Sequence, residues 1–169
     1  LLAQAGEGGH ACPVVCTAGL VRALRGHASD ELRERFLPPL LETDYDRAQR
    51  GAQFLTERQG GSDVGANRVE AVPDGDGWRL HGEKWFCSVA DADQFLVTAR
   101  PRGAAQGTRG IGCFLVVRDE GGFRIRRFFV DVIFQRHVST QHQDARTPLL
   151  YSRNGRLLTL SWLTASHEG

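Results

Sequence analysis

The sequence predicts an α+β chain in which N-terminal helices precede an antiparallel β-barrel or sandwich. Three observations carry that expectation. Apolar residues recur at helical spacing up to about residue 48, then alternate with polar ones after Gly51, and Gly-, Asp- and Pro-rich turns punctuate the alternation. Short strands divided by turn signals fit a barrel or sandwich better than repeating helix–strand units. The expected organisation is a partial helical domain over 1–48, a β-domain over 49–127 and a tail over 128–169.

In the first helix the apolar positions are Val14, Val15, Ala18, Val21 and Leu24. Ser29 has the hydroxyl of an N-cap, and Asp30 and Glu31 suit the positive end of the helix dipole that follows. Leu32, Phe36 and Leu37 give that second helix its stripe, and Pro38-Pro39 is expected to end it, because the residue before a proline avoids helical geometry. Val69 and Ala71 then alternate with Arg68 and Glu70, a turn forms at Pro73-Asp74-Gly75-Asp76-Gly77, and Trp78 and Leu80 resume the alternation toward Trp85-Phe86. Further strands are expected at 95–99 and 111–117, separated by a Gly-rich loop, and the Asp119-Glu120-Gly121-Gly122 turn leads into Phe123-Arg124-Ile125. Residues 128–134 read as a buried strand and 157–163 as a strand or short helix, with no convincing periodicity between them.

A chain of 169 residues can bury a core, roughly 70% of its unfolded surface at this size. Lys+Arg 21 against Asp+Glu 20 gives a net charge of +1, which offers no general attraction to nucleic acid or anionic lipid. No apolar run is long enough for a membrane helix and no signal-peptide pattern opens the chain, so a soluble, cytoplasmic protein is the expectation. The chain starts at Leu1 and contains no methionine, which points to an internal piece of a longer protein. Cys12, Cys16, Cys87 and Cys113 form no Cys-x-x-Cys pair, and His10 beside Cys12 and Cys16 lacks a fourth ligand at metal spacing. Structural thiols, with no metal site, are the reading.

Two segments carry the chemistry: Thr56-Glu57-Arg58-Gln59-Gly60-Gly61-Ser62-Asp63 and Gly82-Glu83-Lys84-Trp85-Phe86-Cys87-Ser88. Gly60-Gly61 frees the backbone for a tight turn whose successive N–H groups can make an anion nest, and Ser62 adds a hydroxyl donor. Thr56 can bond a polar ring edge. Phe86 offers an aromatic face, and Ser88, two residues on, points the same way if the segment is a strand. Each segment alone reads as an ordinary loop or strand; together, across a hairpin, they suit a flat, phosphate-bearing ligand.

The first segment resembles the Thr-Glu-x-x-x-Gly-Ser-Asp signature of acyl-CoA dehydrogenases, and Gly82 to Ser88 resembles that family's second middle-domain motif, Gly-x-Lys-Trp-Phe-x-Thr/Ser. The Gln-Gly-Gly-Ser-Asp wording, Ser88 and the Gly9-His10-Ala11-Cys12-Pro13 stretch are most similar to the AidB-like branch. The resemblance covers about His10 to Arg126. It implies a middle β-domain cradling FAD between two helical domains, with Thr56 on the flavin's pyrimidine edge and Gly61 with Ser62 at the pyrophosphate. Phe86 would pack on the isoalloxazine and Ser88 would lie near its redox-active nitrogen.

The implied activity is α,β-dehydrogenation of an acyl-CoA thioester, with electrons passed to an unidentified acceptor, by a homo-oligomer in its full-length form. The family's general base is a carboxylate on a C-terminal helical bundle, which is missing here, so no catalytic residue is assigned. After Arg126 the expected basic, Gly-containing segment does not follow, and a change of reading frame near Arg127 is the expectation. Weak flavin affinity and exposed apolar surface are expected of the chain alone. The alternatives are an AidB-like flavoprotein associated with DNA protection, which brings nucleic acid in as a partner, and an inactive truncated remnant.

Overall fold

The structure, a computed structural model, describes residues 11–74, 77–118, 123–125, 132–138 and 149–151. Helix α1 spans Ala11–His27 and α2 spans Asp30–Leu41. The buried face of α1 is Leu20 and Leu24, continued by Ala28 at the same four-residue step. The stripe expected from sequence only partly faces the core. Val14 and Val15 are 54% and 62% exposed, and Val14, Ala18 and Val21 line an open groove of about 1040 Å³ between α1 and the end of α2.

Ser29 caps α2 as expected, its Oγ accepting from the Leu32 N–H at 3.4 Å. The helix does not stop at the prolines: it runs through Pro38 and Pro39 to Leu41. Two features permit this. The carbonyls that lose their donors belong to Glu34 and Arg35, which are exposed and open to water. The Phe36 carbonyl, which neither proline deprives of a donor, also takes a hydrogen bond from Gln94 Nε2 at 3.1 Å. Leu40 remains buried and repays the extra turn with packing.

The strands are β1 Gly51–Phe54, β2 Glu70–Asp74, β3 Gly77–Lys84, β4 Gln94–Pro101, β5 Gly112–Val117, β6 Phe123–Ile125, β7 Val132–Val138 and β8 Leu149–Tyr151. They form one sheet in the order β6-β7-β3-β2-β4-β5-β8, with β1 also on β4. The α+β class with helices first stands. The sheet is mixed, because β1 and β2 both run parallel to β4 and β8 runs parallel to β5. The strand expected at 128–134 is met by β7, in register with β3 from Lys84↔Val132 to Trp78↔Val138, while 128–131 and the element expected at 157–163 lie outside the described residues.

Strand β4 organises the rest. Phe95, Val97 and Ala99 point to one side, where they meet Ala52, Phe54, Val69, Ala71, Leu80 and Phe114. Leu96 points to the other, where it joins Leu115, Val117 and the helical residues Leu20, Leu24, Leu32 and Phe36. The period-2 alternation of a strand thus becomes two apolar clusters, one on each face of the sheet. Among the described residues no disulfide forms, and Cys87 and Cys113 are buried.

One edge of β4 is shared in succession. β1 pairs with Gln94 to Val97, and β2 pairs with Arg100 and Pro101. The chain between them must therefore leave the sheet after Phe54 and return at Glu70. That excursion carries the first of the two segments.

Candidate functional site

The excursion begins with a tight reversal. Glu57 and Gly60 bond each other's backbones, N–H to O at 3.3 and 2.9 Å, with Arg58 and Gln59 at the corners. Gly60 sits at φ +128, a conformation glycine reaches without strain. Gly61 follows so close to Thr56 that a Cβ there would lie 2.6 Å from the threonine hydroxyl. Two of the residues singled out from sequence, Thr56 and Gly61, are therefore in direct apposition, and the surface between them accommodates no side chain at 61.

The second segment is fastened to the first by the Trp85 N–H, which donates to the Thr56 carbonyl at 2.9 Å. The strand expected through Ser88 ends at Lys84. Phe86 has φ +54, as does Val89, so the chain bends off β3 instead of continuing along it. A left-handed aromatic or β-branched residue is strained, and such strain concentrates at functional sites. Its consequence here is visible: the Phe86 ring is 73% exposed while its neighbour Cys87 is buried. Trp85 braces Phe86 edge-on, ring centroids 6.2 Å apart at 71°. Arg118 holds the turn beyond Ser88, donating to the carbonyls of Ala90 at 2.7 Å and Ala92 at 2.8 Å.

Beneath this surface lies a polar group built from Glu57 and Lys84 of the two segments together with Asn67 and Thr98, none of which the sequence patterns assign a role. Lys84 is fully buried and Glu57 is 3% exposed. The Lys84 ammonium donates to Glu57 Oε1 at 2.7 Å, the Leu55 carbonyl at 3.1 Å and Thr98 Oγ1 at 3.1 Å. That uses every proton it has. Glu57 also accepts from the Val69 N–H at 3.1 Å, the Arg68 N–H at 2.6 Å and Gln59 Nε2 at 3.1 Å. Asn67 Nδ2 adds bonds to the Leu55 carbonyl at 2.9 Å and to Thr98 Oγ1 at 3.0 Å.

Burial works against the charge on Glu57, but the bonds from Lys84 and from the Arg68 N–H outweigh it and hold the carboxyl below its ordinary range. Burial likewise pushes the Lys84 ammonium down, and Glu57 opposes that. Glu57 is thus held as a carboxylate, facing a Lys84 nitrogen that is surrounded by three acceptors. One signal could have found it in the sequence. Trp78, Leu80 and Lys84 share a strand period of two, which puts the lysine on the inward face, where only a paired charge is tolerated.

The network also sets the direction of a donor. The Leu55 carbonyl points into it, and the Leu55–Thr56 peptide is trans and planar, so the Thr56 N–H points the opposite way. Among the described residues no acceptor meets that N–H, nor those of Gly61 and Ser62. The Trp85 indole N–H is buried without a partner among them too. Ser62 and Ser88 are exposed, and no hydrogen bond links either to Thr56, Gly61 or Phe86. The far wall is tied down by Arg100, which donates to the carbonyls of Gly65 at 2.6 Å, Gly107 at 3.2 Å and Ala105.

This arrangement fits the flavin that the family resemblance implies. A glycine cradle, outward backbone donors and an unpacked aromatic ring together match a flat ring system joined to an anion. No group of three or more metal-ligating side chains comes together among the described residues, and no helix among them is long and apolar enough to cross a membrane.

Comparison with known proteins agrees. The sequence model of the family "Acyl-CoA dehydrogenase, middle domain" matches residues 52–137. The match runs past Arg127, where the resemblance was expected to fade, and so does β7 in its pairing with β3. Acyl-CoA dehydrogenase family member 11 of Caenorhabditis elegans is 37% identical over 121 residues, which is 66% of this chain and 20% of that protein. The AidB protein of Escherichia coli (strain K12) is 36% identical over 123 residues, 66% of this chain and 21% of its own length. Among solved structures, Caenorhabditis elegans ACDH-11 in complex with C11-CoA superimposes with a TM-score of 0.67 at 26% identity, covering 89% of this chain and 26% of that one. The chain thus spans about a fifth to a quarter of the relatives it matches.

Proposed function

The chain belongs to the acyl-CoA dehydrogenase family, and we propose that the face formed by Thr56, Gly61, Ser62, Phe86 and Ser88 is the FAD-contacting half of its active site. One observation carries this: the Trp85 N–H to Thr56 carbonyl bond joins two separate segments into a single exposed surface, with the glycine cradle at one end and the Phe86 ring at the other. We place the flavin-binding unit from Gly51 to Val138, extending the 49–127 domain expected from sequence to include β7.

The residues divide the task by chemistry. Thr56 presents its hydroxyl and its outward N–H to the polar edge of the ring system. Gly61 allows the backbone to approach the ligand, and the N–H groups of Gly61 and Ser62 suit an anionic linker. Phe86 gives an apolar face for the ring, and Ser88 a hydroxyl beside it. The bound flavin supplies the hydride-accepting chemistry, and the protein supplies binding and orientation. The substrate in this reading is an acyl-CoA thioester, as the names of the relatives suggest. Glu57 is unsuited as the base that removes the alpha proton, because the residue is buried and both of its oxygens are already committed to donors.

Titration of the chain with FAD, followed by flavin fluorescence, tests the proposal. Saturable quenching is expected, with affinity lowered about tenfold or more in Gly61→Val, whose side chain would fill the cradle. Unchanged quenching in that variant, or none in the wild-type chain, would contradict it. Acyl-CoA thioesters are expected to give no flavin bleaching with this chain alone.

A further inference from the structure

We propose that Lys84 and Glu57 are positioning residues for the flavin face, their buried ion pair fixing the Leu55–Thr56 peptide and the Trp85–Phe86 bend as one unit. The inference rests on the flavin reading above and deepens it.

The geometry is specific. Glu57 lies next to Thr56 in sequence, and Lys84 next to Trp85, so a bond between the two acidic and basic side chains is a bond between the two segments. Their backbones are joined one residue over, at Trp85 N–H and Thr56 O. Lys84 also holds the Leu55 carbonyl inward, with help from Asn67 and Thr98. Rotation of that peptide, which lies next to the Thr56 carbonyl that takes the Trp85 N–H, would turn the Thr56 N–H away from the ligand. Glu57 meanwhile grips Gln59 at the near end of the excursion and the N–H groups of Arg68 and Val69 at its far end.

An apolar core could stabilise the same fold, since swapping a buried ion pair for apolar groups is often neutral. What packing cannot do is fix a peptide's rotation, because burial is non-directional and hydrogen bonds are not. The pair's function is thus orientation more than stability. The surface pair of Arg102 and Glu70, at 2.8 Å but largely exposed, touches neither segment and has no such effect.

The test compares Lys84→Met, the double variant Glu57→Gln/Lys84→Met, Thr98→Val and a control, Leu24→Ala, whose side chain packs in the helical cluster away from the site. FAD affinity and thermal midpoint are measured for each. Affinity is expected to fall about ten- to a hundredfold in Lys84→Met and to stay low in the double variant even as its midpoint recovers. Leu24→Ala should lose as much thermal stability while holding affinity within about threefold, the small change expected of a distant, uncoupled site. Affinities that simply track the midpoints across the series would overturn the proposal.

Should Lys84→Met not fold, Thr98→Val decides: weaker binding with a smaller midpoint loss than Leu24→Ala supports the proposal, and wild-type affinity overturns it. A wild-type chain that binds no FAD defeats the flavin reading separately. The positioning claim is then judged on exchange of the Trp85 amide, expected to quicken in Lys84→Met and Thr98→Val but not in Leu24→Ala; equal rates in all would refute it.

Discussion

The two flanks of β4 are held by different chemistry. On its helical face, Leu20, Leu24, Leu32 and Phe36 meet Leu96 and Leu115 in an apolar cluster, with Gln94 beside it bonded to the Phe36 carbonyl. Farther along the strand, between the stretches that pair with β1 and β2, Thr98 joins Lys84, Glu57 and Asn67 in a network that includes bonds of 2.6 to 3.1 Å. The apolar seam can shift by small amounts and stay stable, because burial has no preferred direction. The polar network cannot shift without losing bonds. A scaffold needs the first property and a ligand face the second, and the surface motifs sit above the second.

The largest effect that separates the two regions is expected from Lys84→Met. It leaves the Glu57 carboxylate buried without its cation, and should destabilise the chain by about 3–5 kcal/mol in denaturant unfolding. Leu24→Ala, the matching lesion in the seam, should cost about 2–4 kcal/mol through the cavity it opens. If the seam variant distorted the surface of Thr56, Gly61 and Phe86 as much as the network variant, the two regions would not differ in the way proposed.

Acid separates them next. The Glu57 carboxyl is depressed in the folded chain, so the unfolded state binds its proton more readily. The stability it contributes is complete above the unfolded carboxyl range and declines as pH falls through that range toward the folded value. Unfolding experiments from pH 7 downward should show this acid-sensitive component in the wild type and its loss in Glu57→Gln. Among the described residues the seam contains no carboxyl group and should show none.

Phe86→Ala should change stability least, by no more than about 0.5 kcal/mol, because the ring is exposed and its backbone strained. Its effect belongs to binding: FAD affinity should drop several-fold while the melting curve hardly moves. A chain that melts earlier without losing affinity would assign Phe86 to the core instead.

Much of this could be read from the residues. The helices, the Ser29 cap, the hairpin around Asp74 and the strand at 95–99 all follow from local patterns that the packing reinforces. The persistence of α2 through Pro38-Pro39 did not, since it depends on the Glu34 and Arg35 carbonyls falling on the exposed face and on Leu40 finding a place in the core, which the proline pair itself does not announce. The parallel pairings of β1 and β8 were equally hidden, because the partner of a strand is a long-range choice that leaves no mark on the strand itself. At the site, the motifs identified the residues on the surface and missed the pair beneath them. Thr56 and Phe86 attract attention by residue type, whereas Glu57 and Lys84 look like ordinary surface charges until the sheet places them 2.7 Å apart in the interior. The bend at Phe86 was misread as strand, as no glycine or proline announces it.

The central claim is that two segments, fastened by the Trp85–Thr56 bond, form one flavin face. Hydrogen exchange of the chain with and without FAD, resolved by peptide, tests it most directly. The account predicts that FAD slows exchange together in the peptides covering 55–63 and 84–89 while β5 and the helices stay unchanged. Protection in one segment without the other, or spread evenly over the chain, would contradict it.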